Sequence, residues 1–306
     1  MLYYYNPLIE DGIFYSCDSL RFSFVFPDAD TVEDFLTFLS RLPGSTHYQS
    51  LKDFDYRYLY VFGIKGLSFS IGLCMNGIKK ETVLQGFLDF NPNKILGDIS
   101  YGNGFMSTVH SPFSNEESSY KDLRCQIKEI LMEVMENLWS CTEEIRIKRW
   151  DLAVDVPYGR DCVQLIKDNR KYSQFYKSAQ DFTEYLGSMS SPGRVKIYNK
   201  QIEAELDYPL TRIEVTLDSL DFIDCCRCWP NVYTRKVIDL AETKVIVQLL
   251  SEQPVDRMDY YLRQMSAPTK RRYKALLLER PFEVTGPVFN KLRNQLLRYQ
   301  EGDFYE

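Results

Sequence analysis

Apolar and polar residues alternate over 21–27 (RFSFVFP), the period-two pattern of a half-buried strand. The spacing changes over 31–42 (TVEDFLTFLSRL), which predicts a helix with Thr31 as N-cap, acids in its first turn and a proline just beyond. Residues 56–75 predict two strands broken near Gly63 and Gly66, and 82–90 (TVLQGFLDF) predicts another. A loop follows over 91–118, opened by Asn91-Pro92-Asn93. Leu123, Ile127, Ile130, Leu131, Val134 and Leu138 form one stripe of a helix over 120–139. The central block predicts a long strand at 145–156, a short helix at 161–170, and strands at 181–187, 194–200 and 211–217. Beyond 235 the pattern is helical, over 235–250, 254–265, 268–279 and 287–300, with Gly286-Pro287 opening the last. This order predicts an α+β fold: a mixed, mainly antiparallel sheet with helices packed on one face, then a helical C-terminal region. The segments fall at 1–80, 81–230 and 231–306.

Strand periodicity also sorts the central block by face. Trp150, Leu152, Val154 and Val156 point one way; Arg149, Asp151, Ala153 and Asp155 point the other. Val195 and Ile197 oppose Arg194, Lys196, Tyr198 and Lys200, and Ile213, Val215 and Leu217 oppose Arg212, Glu214 and Thr216. If these strands are neighbours, one sheet face is apolar and covered by helices. The other gathers carboxylates, cations and a tyrosine.

Composition bounds the class. With 306 residues and 44% hydrophobic content, the chain can bury a sizeable core. No basic segment followed by an apolar run opens it, and no stretch has the length of a membrane span. Its eight cysteines are scattered, as in a reduced compartment, and Cys225-Cys226-Arg227-Cys228 lacks zinc-ligand spacing. The expectation is a soluble, cytoplasmic protein with no membrane partner. The net charge of -6 is unlike that of a protein that simply coats DNA. Yet residues 1–60 hold nine acids and four bases, whereas 267–300 hold eight bases and two acids, so phosphate affinity concentrates at one end.

The polar sheet face has a chemistry of its own. Carboxylates can hold Mg²⁺ or Mn²⁺, a tyrosine hydroxyl can attack a phosphodiester, and Lys and Arg can bind flanking phosphates. Charged sheet faces and Asp/Arg cross-strand pairs are also ordinary surface features, and the chain has 22 tyrosines. The only two histidines, His47 and His110, lie far from this block, so a His-x-His metal site is excluded.

The ordered run Arg149-Trp150-Asp151-Leu152-Ala153-Val154-Asp155, then Tyr185-Leu186-Gly187-Ser188, then Arg194 through Glu203 (RVKIYNKQIE), then Thr211-Arg212-Ile213-Glu214-Val215 resembles the rolling-circle replication initiation factors of plasmids and phages. These include relaxases of conjugative elements and the gene II-type initiators of filamentous phages. The resemblance covers about 145–217, and Asn91-Pro92-Asn93-Lys94 extends it toward the phage type. It implies a metal-dependent endonuclease and strand transferase that nicks one strand at an origin. Such an enzyme keeps the 5′ phosphate on a tyrosine, frees a 3′-OH and rejoins the strand at termination. By this resemblance Tyr198 is the nucleophile, with Tyr185 its competitor, and Lys200 neutralises phosphate charge. Asp151, Asp155, Glu203 and Glu214 supply the ligands for Mg²⁺ or Mn²⁺. Arg149, Arg194, Lys196 and Arg212 face the nicked strand, and Lys270, Arg271, Arg272 and Lys274 contact adjacent duplex. The segment 81–230 is then the nicking domain, 231–306 a basic DNA-binding region, and 1–80 an N-terminal part of the same unit. The implied partners are origin DNA with a single-stranded or cruciform nick site, a host helicase and a second copy of the chain. The alternatives are a mobilisation relaxase with the same chemistry and a non-catalytic DNA-binding adaptor on the same fold.

Overall fold

A computed structural model describes residues 8–10, 12–49, 56–74, 84–96, 108–110, 117–178, 181–189, 191–235, 245–253, 255–279 and 284–303. The N-terminal strands are β1 (Leu8–Glu10), β2 (Ile13–Val25), β3 (Ser45–Gln49), β4 (Tyr56–Ile64), β5 (Leu67–Cys74) and β6 (Gln85–Phe90). Helix α1 (Ala29–Arg41) lies between β2 and β3. The turn α2 (Pro92–Ile95), strands β7 (Thr108–His110) and β8 (Glu117–Ser119), and helix α3 (Tyr120–Cys141) come next. The central block holds β9 (Glu144–Val156), β10 (Val163–Ile166), β11 (Tyr172–Tyr176), β12 (Phe182–Leu186) and β13 (Val195–Asn199). It closes with the turn α4 (Lys200–Glu203), β14 (Thr211–Leu217) and α5 (Phe222–Cys228). The last elements are β15 (Asn231–Arg235), α6 (Val245–Glu252), α7 (Val255–Arg263), α8 (Ala267–Leu277), β16 (Leu278–Glu279) and α9 (Gly286–Gln300).

The fold is α+β. Its principal sheet runs in the order β11-β12-β13-β14-β9-β2-β6-β5-β4-β3, with β1 also paired to β2, and every described pair is antiparallel. Strands from 8–25, 45–90, 144–156 and 172–217 thus share one hydrogen-bonded surface. Apolar positions of β2, β9, β13 and β14 point to one face and pack against α1, α3 and α9. Trp150 is fully buried there, its Nε1–H donating to the carbonyl of Ser219 at 2.9 Å and its ring 5.6 Å from that of Phe289. A second, smaller core lies among α6, α7 and α8, around Val247, Leu250, Met258, Leu262 and Leu277, beside the three-stranded sheet β10-β15-β16. Among the described residues no helix is long and apolar enough to cross a membrane.

Several elements differ from the sequence pattern. The helix expected over 161–170 is a single 3-10 turn (Arg160–Cys162) followed by β10, because Val163 and Leu165 alternate into the core. Asp28 caps α1 instead of Thr31; its carboxylate accepts from the Thr31 N–H at 2.8 Å. Of the helix expected at 235–250, residue 235 belongs to β15, Val245 onward is helical, and 236–244 lie outside the described residues. Arg280 and Glu283 of the basic C-terminal stretch also lie outside them.

Candidate active site

The site is built by cross-strand register. Tyr198 of β13 pairs with Arg212 of β14, and Arg212 pairs with Asp155 of β9. The adjacent row on the same face runs Tyr185, Lys196, Glu214, Ala153 and Ser16 across β12, β13, β14, β9 and β2. Directly opposed residues share a face, so two tyrosines, two carboxylates and two cations are brought within two rows. Asp151 lies one row further, opposite Thr216, and faces Arg149 at 3.6 Å. Lys200 and Glu203 leave the sheet on α4, where they pair with each other.

Contrary to an open charged surface, the heart of this face is buried. Asp155, Arg212 and Ser16 are almost wholly removed from solvent, and Tyr198 is 7% exposed. Arg212 offers a planar fork, and both Asp155 oxygens accept from it at 2.6 Å. Its third contact is Asp18 Oδ1, also at 2.6 Å. Burial opposes the Arg212 charge, but Asp155 and then Asp18 outweigh it and raise its pKa well above the usual guanidinium value.

Asp18 was not among the sequence candidates. It is the extra residue of a β-bulge: Cys17 opposes Leu152 and Ser19 opposes Asp151, which leaves Asp18 unpaired in the ladder. The bulge aims its carboxylate toward Arg212 and toward Asn91, whose Nδ2 donates to it at 3.2 Å. Asn91 caps α2 by accepting from the Lys94 N–H, and Asn93 donates to Ser16 Oγ at 3.0 Å, so the Asn-Pro-Asn-Lys segment forms one wall. Burial resists ionisation of Asp18, yet Arg212, Lys200 and Lys94 hold its carboxyl well below the usual range. The signal for the bulge is in the sequence. Core positions Ile13, Tyr15 and Cys17 give way to Leu20, Phe22 and Phe24, a one-residue slip in the period of two.

Tyr198 donates its hydroxyl proton to Glu214 Oε1 at 2.7 Å. Glu214 also accepts from Lys196 Nζ at 3.1 Å, and that ammonium lies 3.9 Å from the centre of the Tyr198 ring. Burial, and then the charge of Asp18, push Glu214 up to about 7. Burial and then Glu214 raise Tyr198 well above its ordinary value. The pair is a phenol held against a carboxylate that gains and loses its proton near neutrality, the relation a general base needs.

Tyr185 sits differently. Its ring is partly exposed, with the Arg194 guanidinium 4.9 Å from its centre. Gly187 (φ 87°) makes the turn after it possible, because a Cβ there would stand 3.2 Å from Arg194 Cα. On the opposite face of β12, Glu184 pairs with the buried Arg160 and accepts from the Tyr172 hydroxyl at 2.7 Å.

The four expected metal ligands do not form one set. Asp155 is taken by Arg212, Glu214 by Tyr198 and Lys196, Glu203 by Lys200, and Asp151 stands a row away. Among the described residues no three His, Cys, Asp or Glu side chains are placed to hold a metal ion. As placed, these donors do not fit a divalent cation. The basic residues Lys270, Arg271, Arg272 and Lys274 lie on α8, in the smaller C-terminal core rather than on this face; Arg271 and Arg272 are exposed and the two lysines partly so.

No family model and no curated protein matches the chain. Among solved structures it is similar to the rolling circle replication initiator protein from Geobacillus stearothermophilus, over 93% of this chain and 97% of that one, with 15% identity and a TM-score of 0.38. At that TM-score the likeness lends no weight to the site, whose reading comes from its own residues.

Proposed function

We propose that this face nicks one DNA strand through a tyrosine and that the chain starts rolling-circle replication. The observation that carries the reading is the Tyr198 hydroxyl donating to Glu214, within the I-Y-x-K-x-x-E and R-x-E motifs that resemble those of the initiation factors. Glu214 takes the phenol proton as Tyr198 Oη attacks phosphorus. The P–O bond to the 3′ oxygen breaks, leaving a 5′-phosphotyrosine; the departing 3′ oxygen takes a proton from solvent to become the 3′-OH, and the reverse attack rejoins the strand at termination. Lys196, partly exposed beside both groups, offsets charge on the phosphoryl oxygens. No step of this proposal passes through a metal ion.

A nucleophile needs both a proton acceptor and access to the phosphate. Tyr198 has the acceptor, but at 7% exposure it is the less accessible of the two tyrosines. A specific observation favours a second reading: Tyr185 is the more open of the two, on the same face, directly opposite Lys196 and two strands from Glu214. In either reading α8 contacts duplex beside the nick, and origin DNA is the required partner; a host helicase and a second copy of the chain belong to the same proposal.

The test is incubation with supercoiled plasmid carrying the cognate origin, with and without Mn²⁺ or Mg²⁺, followed by denaturing gels for relaxed DNA and a covalent adduct. Wild type should give both. Loss in Tyr198→Phe with retention in Tyr185→Phe assigns Tyr198, and the converse assigns Tyr185. Adduct formation by the double variant would refute tyrosine chemistry on this face.

A further inference from the structure

We propose that Phe175 is a stacking platform for a base of the single strand next to the cut. This rests on reading the polar sheet face as a DNA site. Phe175 lies on β11, the last strand of the principal sheet on the side of the candidate tyrosines. It pairs with Thr183, two residues from Tyr185 on β12, and Tyr185 pairs with Lys196, two residues from Tyr198 on β13. Strand parity therefore puts Phe175 on the face that carries Tyr185, Lys196 and Tyr198. It is a diagonal neighbour of Tyr185, at a distance of about 7–8 Å for such pairs.

Phe175 is 60% exposed, and no other ring packs on it among the described residues. Its chain neighbour Tyr176 points to the opposite face and packs against Phe182, tilted, at 5.4 Å between centres, so the two aromatic residues are not one apolar patch. A bare phenylalanine on an edge strand is a hazard for edge-to-edge pairing unless something covers it. The cations of this face stand on β13, one strand beyond Thr183 and Tyr185: Arg194 lies over the Tyr185 ring and Lys196 pairs with Glu214, and both are partly exposed. An aromatic ring beside a row of cations is what a single strand takes, a base stacking on the ring while its phosphates meet the ammonium and guanidinium groups. Duplex cannot use it, because its bases are already stacked on one another.

The test is anisotropy of a fluorescent dT oligonucleotide titrated with wild type, Phe175→Ala and Phe175→Trp. Stacking of one base predicts that Phe175→Ala weakens binding by about fivefold to a hundredfold with the salt dependence unchanged, since no charge is removed. Phe175→Trp should bind as wild type or more tightly. An oligonucleotide with abasic residues should bind wild type weakly and show no further loss with Phe175→Ala. The platform is overturned if Phe175→Ala binds dT as wild type does, if it loses as much on the abasic strand, if wild type fails to bind the dT strand, or if light scattering traces the change to oligomeric state. Adducts on origin plasmid separate this from the nicking chemistry. Phe175-dependent binding without any adduct leaves the platform standing and removes the nicking reading; adduct formation with Phe175-independent binding does the reverse.

Discussion

Glu214 sits where stability and chemistry pull in opposite directions, and Glu214→Gln separates them. Glu214 is 8% exposed, and its carboxyl is raised from an ordinary 4.5 to about 7, first by burial and then by Asp18. A carboxyl with a raised pKa binds its proton more tightly in the folded chain than in the unfolded one. Stability is therefore fully present below about pH 4.5, falls as pH rises, and levels off above about 7. At about 1.4 kcal/mol per pKa unit, the shift corresponds to about 3 kcal/mol across that window. Glutamine has no proton to lose and can still accept from Tyr198 and carry a similar volume. Urea unfolding of both proteins from pH 4.5 to 8.5 should show wild type losing about 3 kcal/mol relative to Glu214→Gln, all of it below about pH 7. The same substitution removes the proton acceptor, so nicking at pH 8 should fall by about a hundredfold or more. Parallel stability curves would refute the buried-carboxyl argument, and a fully active glutamine variant would refute the base.

Arg212→Met leaves Asp155 buried without its partner and should cost about 3–5 kcal/mol in urea unfolding; Arg212→Lys should not restore it, since one ammonium cannot span both Asp155 and Asp18. Asp18→Asn removes a charge that raises Glu214, so the midpoint of the rise in nicking rate with pH should move to lower pH, and an unmoved midpoint would break the link between the bulge and the base. Replacing Arg271 and Arg272 with alanine should reduce the salt slope of duplex binding by about 0.9 for each phosphate that these arginines neutralise, measured against single-strand binding left unchanged. A slope equal to that of wild type would move the duplex surface off α8.

The polar face was legible because it depends only on period-two alternation, and Arg149, Asp151, Asp155, Tyr198, Arg212 and Glu214 all obey it. The α+β class follows from the order of patterned segments, and Trp150 falls on the apolar side by pattern and by burial alike. Pairing partners were not legible, because alternation says which way a residue points and not which strand lies beside it. Nothing local joins β2 to β9, so Asp18 stays apart from Arg212 in the sequence, although the slip between Cys17 and Leu20 marks the bulge. Burial of the face was hidden for the same reason: Asn91 and Asn93 at α2 bond to Asp18 and Ser16, and Lys200 of α4 lies 6.0 Å from the Tyr198 ring, contacts that strand alternation does not reveal. Strand β10 reads as helix because four residues carry too little pattern to separate the two periods.

The pairing of β2 with β9 sets a timetable for synthesis. β2 leaves the ribosome first, yet one of its two long ladder partners begins only at Glu144. At ribosomal speed, making residues 26–143 takes on the order of ten seconds. Through that interval the hydrogen-bonding edge of β2 that β9 will cover stays open, with β6 able to close only the other side. The nascent chain thus carries an unpaired edge rich in phenylalanine until the strand bearing Asp151 and Asp155 arrives. Closing that edge does not complete the site: Asp18 and Asp155 are joined through Arg212 of β14, so the nascent chain holds neither a finished sheet nor a finished site until β14 has followed β9.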